Sequence, residues 1–177
     1  GNFDNGLRDD MAMLPHTNAM LALMRDGFVE DSQGGQVKID DKGMPMLDYD
    51  ISDFIWDGAK RAYLSMAEAQ FASGAQKVRP AHLDGKWTSS WNEAKNQIEH
   101  LKYKKFRTAL FTAHLMGGCT MGEDAKTSVV NSQGQHHQFS NLSIFDGSVF
   151  PTSLGVNPQL SIYGLVAQNA TALATKQ

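Results

Sequence analysis

Three short clusters in the last third of the chain contain the residue types that could carry out chemistry. The first runs from His114 to Gly122 and reads His-Leu-Met-Gly-Gly-Cys-Thr-Met-Gly. The second runs from Asp146 to Thr152, and the third from Gly155 to Pro158. An imidazole is suited to proton transfer near neutral pH, and glycines allow close backbone approach. The clusters therefore offer a base within a region of close backbone contact.

The third cluster is typical of a helix start, and we predict a helix from Asn157 to about Thr175. Asn is a favoured N-cap, and Pro suits the first helical position because its missing N–H needs no partner there. The free N–H groups and positive dipole end, roughly +0.5 charge, would favour an anion or an electron-rich group. The first two turns are apolar almost all round, which predicts burial against another element. Their apolar residues are Leu160, Ile162, Tyr163, Leu165 and Val166.

Each cluster also has a purely structural interpretation. A His before a glycine-rich turn is often an ordinary hydrogen-bonded residue, Asp-Gly is often only a turn, and Asn-Pro is often only a cap. Cys119 is interpreted as a small buried hydrophobic residue, since no second Cys or suitably spaced His accompanies it. His136 and His137 are adjacent rather than four apart, which predicts a surface loop. We therefore predict no metal site.

In this order and combination, the clusters resemble the C-terminal signature of the glucose–methanol–choline oxidoreductases, a flavoprotein family. The resemblance is close over residues 112–175 and much less specific before them. The matching segments are His114–Gly122, Ser128–Val130, Asn141-Leu142, Asp146–Thr152 and Gly155–Pro158.

The resemblance implies part of an FAD-dependent enzyme that oxidises a CH–OH donor, such as an alcohol, a sugar or a choline-like compound. In that family the flavin accepts a hydride and a histidine handles the hydroxyl proton, and His114 matches this histidine. Asn157 matches a second polar residue, whose amide donates a hydrogen bond but cannot exchange protons at neutral pH. The residues implied to contact FAD are Asp146, Gly147, Asn157, Pro158 and Gln159.

The resemblance also implies an α+β fold, as a C-terminal fragment of an enzyme with an FAD/NAD(P)-binding, Rossmann-like domain. Residues 1–140 would be the substrate-binding region, an antiparallel sheet plus helices. Residues 141–177 would be a strand and a helix that return to the FAD domain. No Gly-x-Gly-x-x-Gly follows a strand pattern, and the chain starts without Met. We therefore expect the N-terminal FAD domain to be missing from this chain.

Two other functions stay open beside the leading one. The same fold could perform non-redox cleavage, as the family's cyanohydrin lyases do. Alternatively, the isolated chain could be a non-catalytic interaction module that self-associates through its apolar last helix. We expect the isolated chain to be inactive and to hold little or no FAD.

Hydrophobic patterns predict the elements that must position the clusters. We predict a helix at Thr17–Asp26 and a hairpin with strands at Val37–Ile39 and Met46–Tyr49. An amphipathic helix should run from Ser52 or Asp53 to about Ser73 and stop at Gly74, and further elements are a helix at Ser90–Tyr103 and a strand at Asn141–Asp146. The long helix should bury Ile55, Ala59, Ala62, Leu64, Met66, Ala69 and Phe71.

Composition excludes several classes of partner. The formal net charge is −3, which argues against nucleic acid, and the basic run Lys102–Arg107 is interpreted as a solvated helix face. No apolar stretch approaches the roughly 20 residues that span a bilayer, so we predict no transmembrane segment. The single cysteine excludes an internal disulfide and suits a reducing compartment, for which we expect the cytoplasm.

Overall fold

The computed structural model describes residues 5–31 and 34–175. Its helices and small antiparallel sheet are compatible with the expected α+β class. The helices are α1 (Asn5–Met13), α2 (Asp53–Ala72), α3 (Trp91–His100) and α4 (Gln159–Ala174), and the strands are β1 (Gln36–Ile39) and β2 (Pro45–Asp48). Short 3-10 helices cover Leu14–His16 and Gly147–Val149. The described residues form two compact units, residues 5–24 with 52–110 and residues 25–31 with 34–51 and 111–175.

The core of the first unit lies between α2 and α3. The buried residues of α2 recur every four positions, at Ile55, Ala59, Tyr63 and Ala67. Tyr63 and Ala67 pack with the fully buried Ala94 and Ile98 of α3. Helical spacing thus places one narrow stripe in the core. The predicted bounds of α2 are confirmed, but the prediction that Ala69 is buried is wrong, because that residue lies outside the stripe.

Capping hydrogen bonds fix the end of α2 and the start of α3. Gly74 has φ +92° and donates to the carbonyl of Phe71, while Ala75 donates to Gln70. This pair of bonds is a Schellman motif, in which glycine takes the left-handed position at little cost. At the start of α3, the hydroxyl of Ser90 accepts from the N–H of Glu93 at 3.3 Å.

The predicted end of α3 at Tyr103 is wrong, because the helix ends three residues earlier. Leu101 is extended, with φ −65° and ψ 148°. Tyr103 turns back, and its hydroxyl donates to the carbonyl of Ile98 at 2.9 Å. The following basic run is solvated but not helical, since Phe106 takes φ +65°, which a right-handed helix does not allow.

The helix predicted at Thr17–Asp26 is also wrong, since α1 lies upstream and residues 17–26 are not helical. Thr17 ends a helical stretch instead of starting one: its N–H donates to Leu14 and its hydroxyl to the carbonyl of Met13 at 2.8 Å. Leu21 and Leu23 remain exposed. Without burial of these side chains, the apolar pattern has nothing to stabilise a helix.

The predicted hairpin is confirmed in the second unit. Val37 pairs with Leu47 and Lys38 with Met46. The turn between the strands is held by Asp40, whose carboxylate accepts the N–H groups of Lys42 at 2.9 Å and Met44 at 2.8 Å.

The strand predicted at Asn141–Asp146 is wrong, because the segment contains only an isolated bridge between Ser143 and Gln135. Gly134 has φ +75°, and the ring of Phe145 lies where a Cβ would stand at that glycine. The N–H of Ile144 donates to the carbonyl of Gly134 at 2.8 Å, but the pairing goes no further, because the chain enters the helix Gly147–Val149. None of the described helices is both long and apolar enough to cross a membrane.

Candidate functional site

The three sequence clusters lie in the second unit and meet at one cavity of about 480 Å³. Each cluster contributes to its wall. The lining residues are His114, Leu115, Gly147, Asn157, Pro158, Gln159, Ile162 and Tyr163. Of the predicted site residues, only Asp146 is absent from this lining.

Backbone hydrogen bonds align the first two clusters. The N–H of Cys119 donates to the carbonyl of Ser148 at 3.0 Å, and that of Met121 donates to Val149 at 2.8 Å. Val149 is buried. The segment after His114 is therefore paired along the short helix Gly147–Val149, which fixes the two clusters side by side.

Gly147 is the point at which the first two clusters and α4 touch. A Cβ at this position would lie 3.2 Å from the Cδ1 of Ile162 and 3.2 Å from the carbonyl oxygen of Leu115. Such distances are shorter than nine in ten real contacts of a Cβ, so the neighbours approach closely because residue 147 has no side chain. Gly147 thus brings α4 against the residue that follows His114.

The backbone of His114 has a left-handed conformation, with φ +58°. This region is uncommon for residues other than glycine and costs free energy, so it persists only where the surrounding structure fixes it. Such conformations cluster at functional sites. The side chain of His114 is exposed at the cavity wall, where an imidazole can exchange protons with a ligand.

Asp146 lies beside the cavity and shapes the turn that carries Gly147. Its carboxylate accepts the N–H of Ser148 at 2.8 Å and the hydroxyl of Ser148 at 2.5 Å. It therefore acts as the N-cap of the short helix Gly147–Val149.

Asn157 was predicted to be the N-cap of the last helix, and this is wrong. The cap is Pro158, with φ −83° and ψ −6°, and its carbonyl accepts the N–H of Ile162 at 2.8 Å. The ring of proline already fixes φ close to the helical value, so the helix starts without a side-chain cap. Asn157 lies one residue before this cap and lines the cavity.

The burial predicted for the start of α4 is wrong at Leu160 and Tyr163, whereas Ile162, Leu165 and Val166 are half-buried. Leu160 is 82% exposed and Tyr163 is 60% exposed, while the buried residue of the helix is Asn169. Ile162 faces Gly147, and this contact leaves the neighbouring apolar positions on the solvent side of the unit.

Sequence reasoning missed Leu115, Ile162 and Tyr163 as lining residues. The side-chain amide of Gln159 donates to the hydroxyl of Tyr163 at 2.7 Å. Their separation of four positions on a predicted helix is a signal that could have paired them. Ile162 shows no such signal, because its place in the wall depends on the contact with Gly147.

A hydrogen-bonded loop supports the first cluster from behind. Val130 is fully buried and bridges both Met121 and His136. The Nε2 of His137 lies 3.0 Å from the hydroxyl of Ser128. The two histidines predicted to lie in a surface loop are half-buried structural residues. No group of three or more potential metal ligands occurs within residues 5–31 and 34–175.

A second, larger cavity of about 1180 Å³ lies in the first unit. Three of its lining side chains, those of Arg79, Trp87 and Gln97, are already paired with other protein groups. Arg79 forms an ion pair with Asp10 at 2.9 Å, and its Cζ lies 4.7 Å from the ring centre of Trp87. The side-chain amide of Gln97 accepts the backbone N–H of Lys86 and donates to the carbonyl of Lys86. These bonds suit a structural role more than ligand binding.

Comparisons with known proteins agree with the motifs at the smaller cavity. The family model described as GMC oxidoreductase matches residues 31–165. A GMC-type oxidoreductase of Sinorhizobium fredii is 31% identical over 72% of this chain and 25% of its own length. A long-chain-alcohol oxidase of Arabidopsis thaliana is 27% identical over 88% of the chain and 21% of its own length.

A third relative matches over a shorter length. A cholesterol oxidase of Acinetobacter baumannii is 38% identical over 66 residues, which are 37% of this chain and 12% of that protein. The chain therefore spans about a quarter, or less, of the length of these relatives.

Proposed function

This chain belongs to the glucose–methanol–choline (GMC) oxidoreductase family, and we propose that it carries the base and the substrate-orienting amide of an FAD-dependent enzyme that oxidises a CH–OH donor. Family membership and relatives named as alcohol and cholesterol oxidases support an oxidoreductase of this donor class. The proposal adds flavin dependence and the roles of His114 and Asn157 in the full-length protein.

The observation that carries the proposal is that His114 and Asn157 line one cavity together with the first residues of α4. One hydroxyl group can contact an imidazole and a carboxamide only if both lie on a shared surface. Alcohol oxidation needs two groups from the protein, a base and a neutral hydrogen-bond donor. Here both residues line one cavity.

The donor set at the cavity fits a flavin ring. The first N–H groups of α4 have no partner within the helix and lie at its positive end, which favours an electron-rich ring edge. The residues that would hold this edge are Gly147, Asn157, Pro158 and Gln159. Asp146 would hold the turn that carries Gly147. When bound, FAD supplies the acceptor for the hydride that leaves the carbinol carbon.

The protein residues handle the proton and the orientation. As the carbinol C–H bond breaks, His114 takes the hydroxyl proton, and the O–H electron pair becomes the second bond of the new carbonyl group. The alcohol thus loses one proton to His114 and one hydride to the acceptor. The amide of Asn157 donates a hydrogen bond to the same oxygen, which orients the carbinol carbon.

The test is flavin bleaching by alcohols in the full-length protein without oxygen. 1-Octanol, glucose and choline would represent three classes of donor. We expect His114→Ala to slow bleaching by about 10²–10⁴-fold, the usual contribution of a positioned acid–base group. His100→Ala is the matched control, because this exposed histidine ends α3 in the other unit and should leave the rate unchanged.

Two results would contradict the proposal. A His114→Ala protein that bleaches at the wild-type rate would exclude His114 as the base. A wild-type protein that holds FAD but cleaves cyanohydrins without bleaching would instead support the non-redox lyase reaction.

A further inference from the structure

The loop that delivers Asn157 to the cavity is braced by a distant segment of the same unit, residues 25–28. The loop runs from the end of the helix Gly147–Val149 to α4 and contains no helix or strand of its own. Its local bonding is slight, as in the contact of the Gly155 N–H with the Ser153 hydroxyl at 3.3 Å. The position of Asn157 therefore depends on contacts from outside the loop.

Arg25 supplies the closest of these contacts. A Cβ built on Gly155 would stand 2.0 Å from Nη1, 2.8 Å from Cδ and 2.9 Å from Cζ of Arg25. The guanidinium thus fills the space in front of the glycine Cα. Gly155 has φ +71°, a conformation that glycine adopts without strain. The contact lies two residues before Asn157.

Two further contacts hold Arg25 and its segment in place. The guanidinium lies 4.8 Å from the ring centre of Phe28, within the range of a cation–π interaction. The hydroxyl of Thr152 donates to the carbonyl of Gly27 at 3.1 Å. Segment 25–28 is therefore attached to the loop at two points, Thr152 and Gly155.

We infer that Arg25 is a positioning residue that holds Gly155, and through it Asn157, at the cavity. The inference rests on the proposed function, because it concerns the orientation of the substrate oxygen by Asn157. Arg25 does not line the cavity, so its effect reaches the reaction through Asn157. Small displacements of orienting groups cost rate even when the groups themselves remain.

The test measures flavin reduction in single turnovers of the full-length protein. We expect Arg25→Ala to lower the limiting rate by roughly 10- to 100-fold, with FAD content and thermal midpoint close to wild type. Arg61→Ala is the control, because Arg61 is an exposed residue paired with Asp57 at 2.9 Å on α2, and it should react at the wild-type rate.

A double-mutant cycle separates positioning from a general structural effect. If Arg25 acts through Asn157, Arg25→Ala should slow the Asn157→Ala protein less than about twofold. Equal effects in both backgrounds would overturn the inference. If Arg25→Ala fails to fold, Phe28→Leu takes its place and should give a smaller decrease with the same loss of effect beside Asn157→Ala.

The outcomes distinguish this inference from the proposed function. A wild-type protein whose flavin no alcohol reduces would contradict the function itself. A wild-type protein that is reduced normally, and an Arg25→Ala protein that is reduced equally fast, would overturn the role of Arg25 alone.

Discussion

Asn157 lies one residue before the cap of α4, close to the positive end of the helix. Asn157→Asp changes charge at almost constant size. A negative charge should suit the helix end, so we expect an unchanged or slightly raised thermal midpoint. The same charge would disfavour the negative charge that the flavin gains with the hydride, and we expect flavin reduction roughly tenfold slower than in Asn157→Ala. Single-turnover reduction of both variants checks this, and equal rates would show that charge at this position does not matter.

At the scale of single residues, the order of the motifs along the sequence predicts most of the residues that we assign to the site. The sequence predicts His114, Gly147, Asn157, Pro158 and Gln159, and the structure brings them to one cavity. It could not predict the left-handed backbone of His114, because the strain depends on neighbours that hold it. Nor could it predict that the carboxylate of Asp146 is engaged by Ser148. Bonding within a turn of this kind is set by the path of the backbone.

At the scale of elements, the contact between the helix Gly147–Val149 and α4 should tolerate no added side chain. We expect Gly147→Ala to destabilise the 177-residue chain by about 1–3 kcal/mol, because the Cβ would press on a backbone carbonyl and a packed isoleucine. Gly164→Ala is the matched change on α4, with nothing within 4 Å of the new Cβ. It should stabilise the chain by about 0.5–1 kcal/mol. Urea unfolding measures both, and similar effects would contradict the packing argument.

Tyr49, at the end of the hairpin, should make the stability of the second unit depend on pH in the alkaline range. Tyr49 follows β2 and donates its hydroxyl to Asp26. Desolvation, and then the bond to Asp26, raises the pKa of Tyr49 from 10.0 to about 12. The folded state therefore holds this proton more tightly than the unfolded state. The contribution of the protonated Tyr49 hydroxyl to stability is complete below pH 10 and is lost as the pH rises to about 12.

Tyr49→Phe removes this proton and the hydrogen bond together. We expect the difference in thermal midpoint between wild type and Tyr49→Phe to be constant up to about pH 10 and to shrink between pH 10 and 12. Midpoints measured in steps across pH 8–12 check this. A difference that stays constant throughout would show that the folded protein does not raise the pKa of Tyr49.

Local signals explain which elements were predictable. The turn at Asp40–Gly43, the apolar pattern of α2 and the glycine after it each specify structure through neighbouring residues, and the predicted hairpin and the predicted bounds of α2 are confirmed. The failures at residues 17–26 and 141–146 depend on distant contacts. Leu21 and Leu23 are not buried, and Phe145 packs on Gly134. A hydrophobic pattern cannot indicate whether its partner surface exists.

At the scale of the whole molecule, the exposed start of α4 and the length of the relatives both bear on what covers the cavity. Leu160 and Tyr163 are largely exposed, although their pattern is that of a buried helix. The chain covers about a quarter of the length of the related proteins. In the full-length enzyme we therefore propose that further protein covers this face and completes the cavity.

The isolated chain should bind FAD only weakly. The cavity offers the ring edge of a flavin a few donors, whereas a dinucleotide's phosphates need a Gly-x-Gly-x-x-Gly turn after a strand, a pattern that the 177-residue sequence does not contain. We expect purified chain mixed with excess FAD and passed through a desalting column to retain less than about a tenth of an equivalent, since weak sites lose ligand on dilution. Absorbance near the flavin bands measures this. Stoichiometric retention would mean that the described cavity suffices for binding. The proposal that further protein completes the cavity would then be wrong.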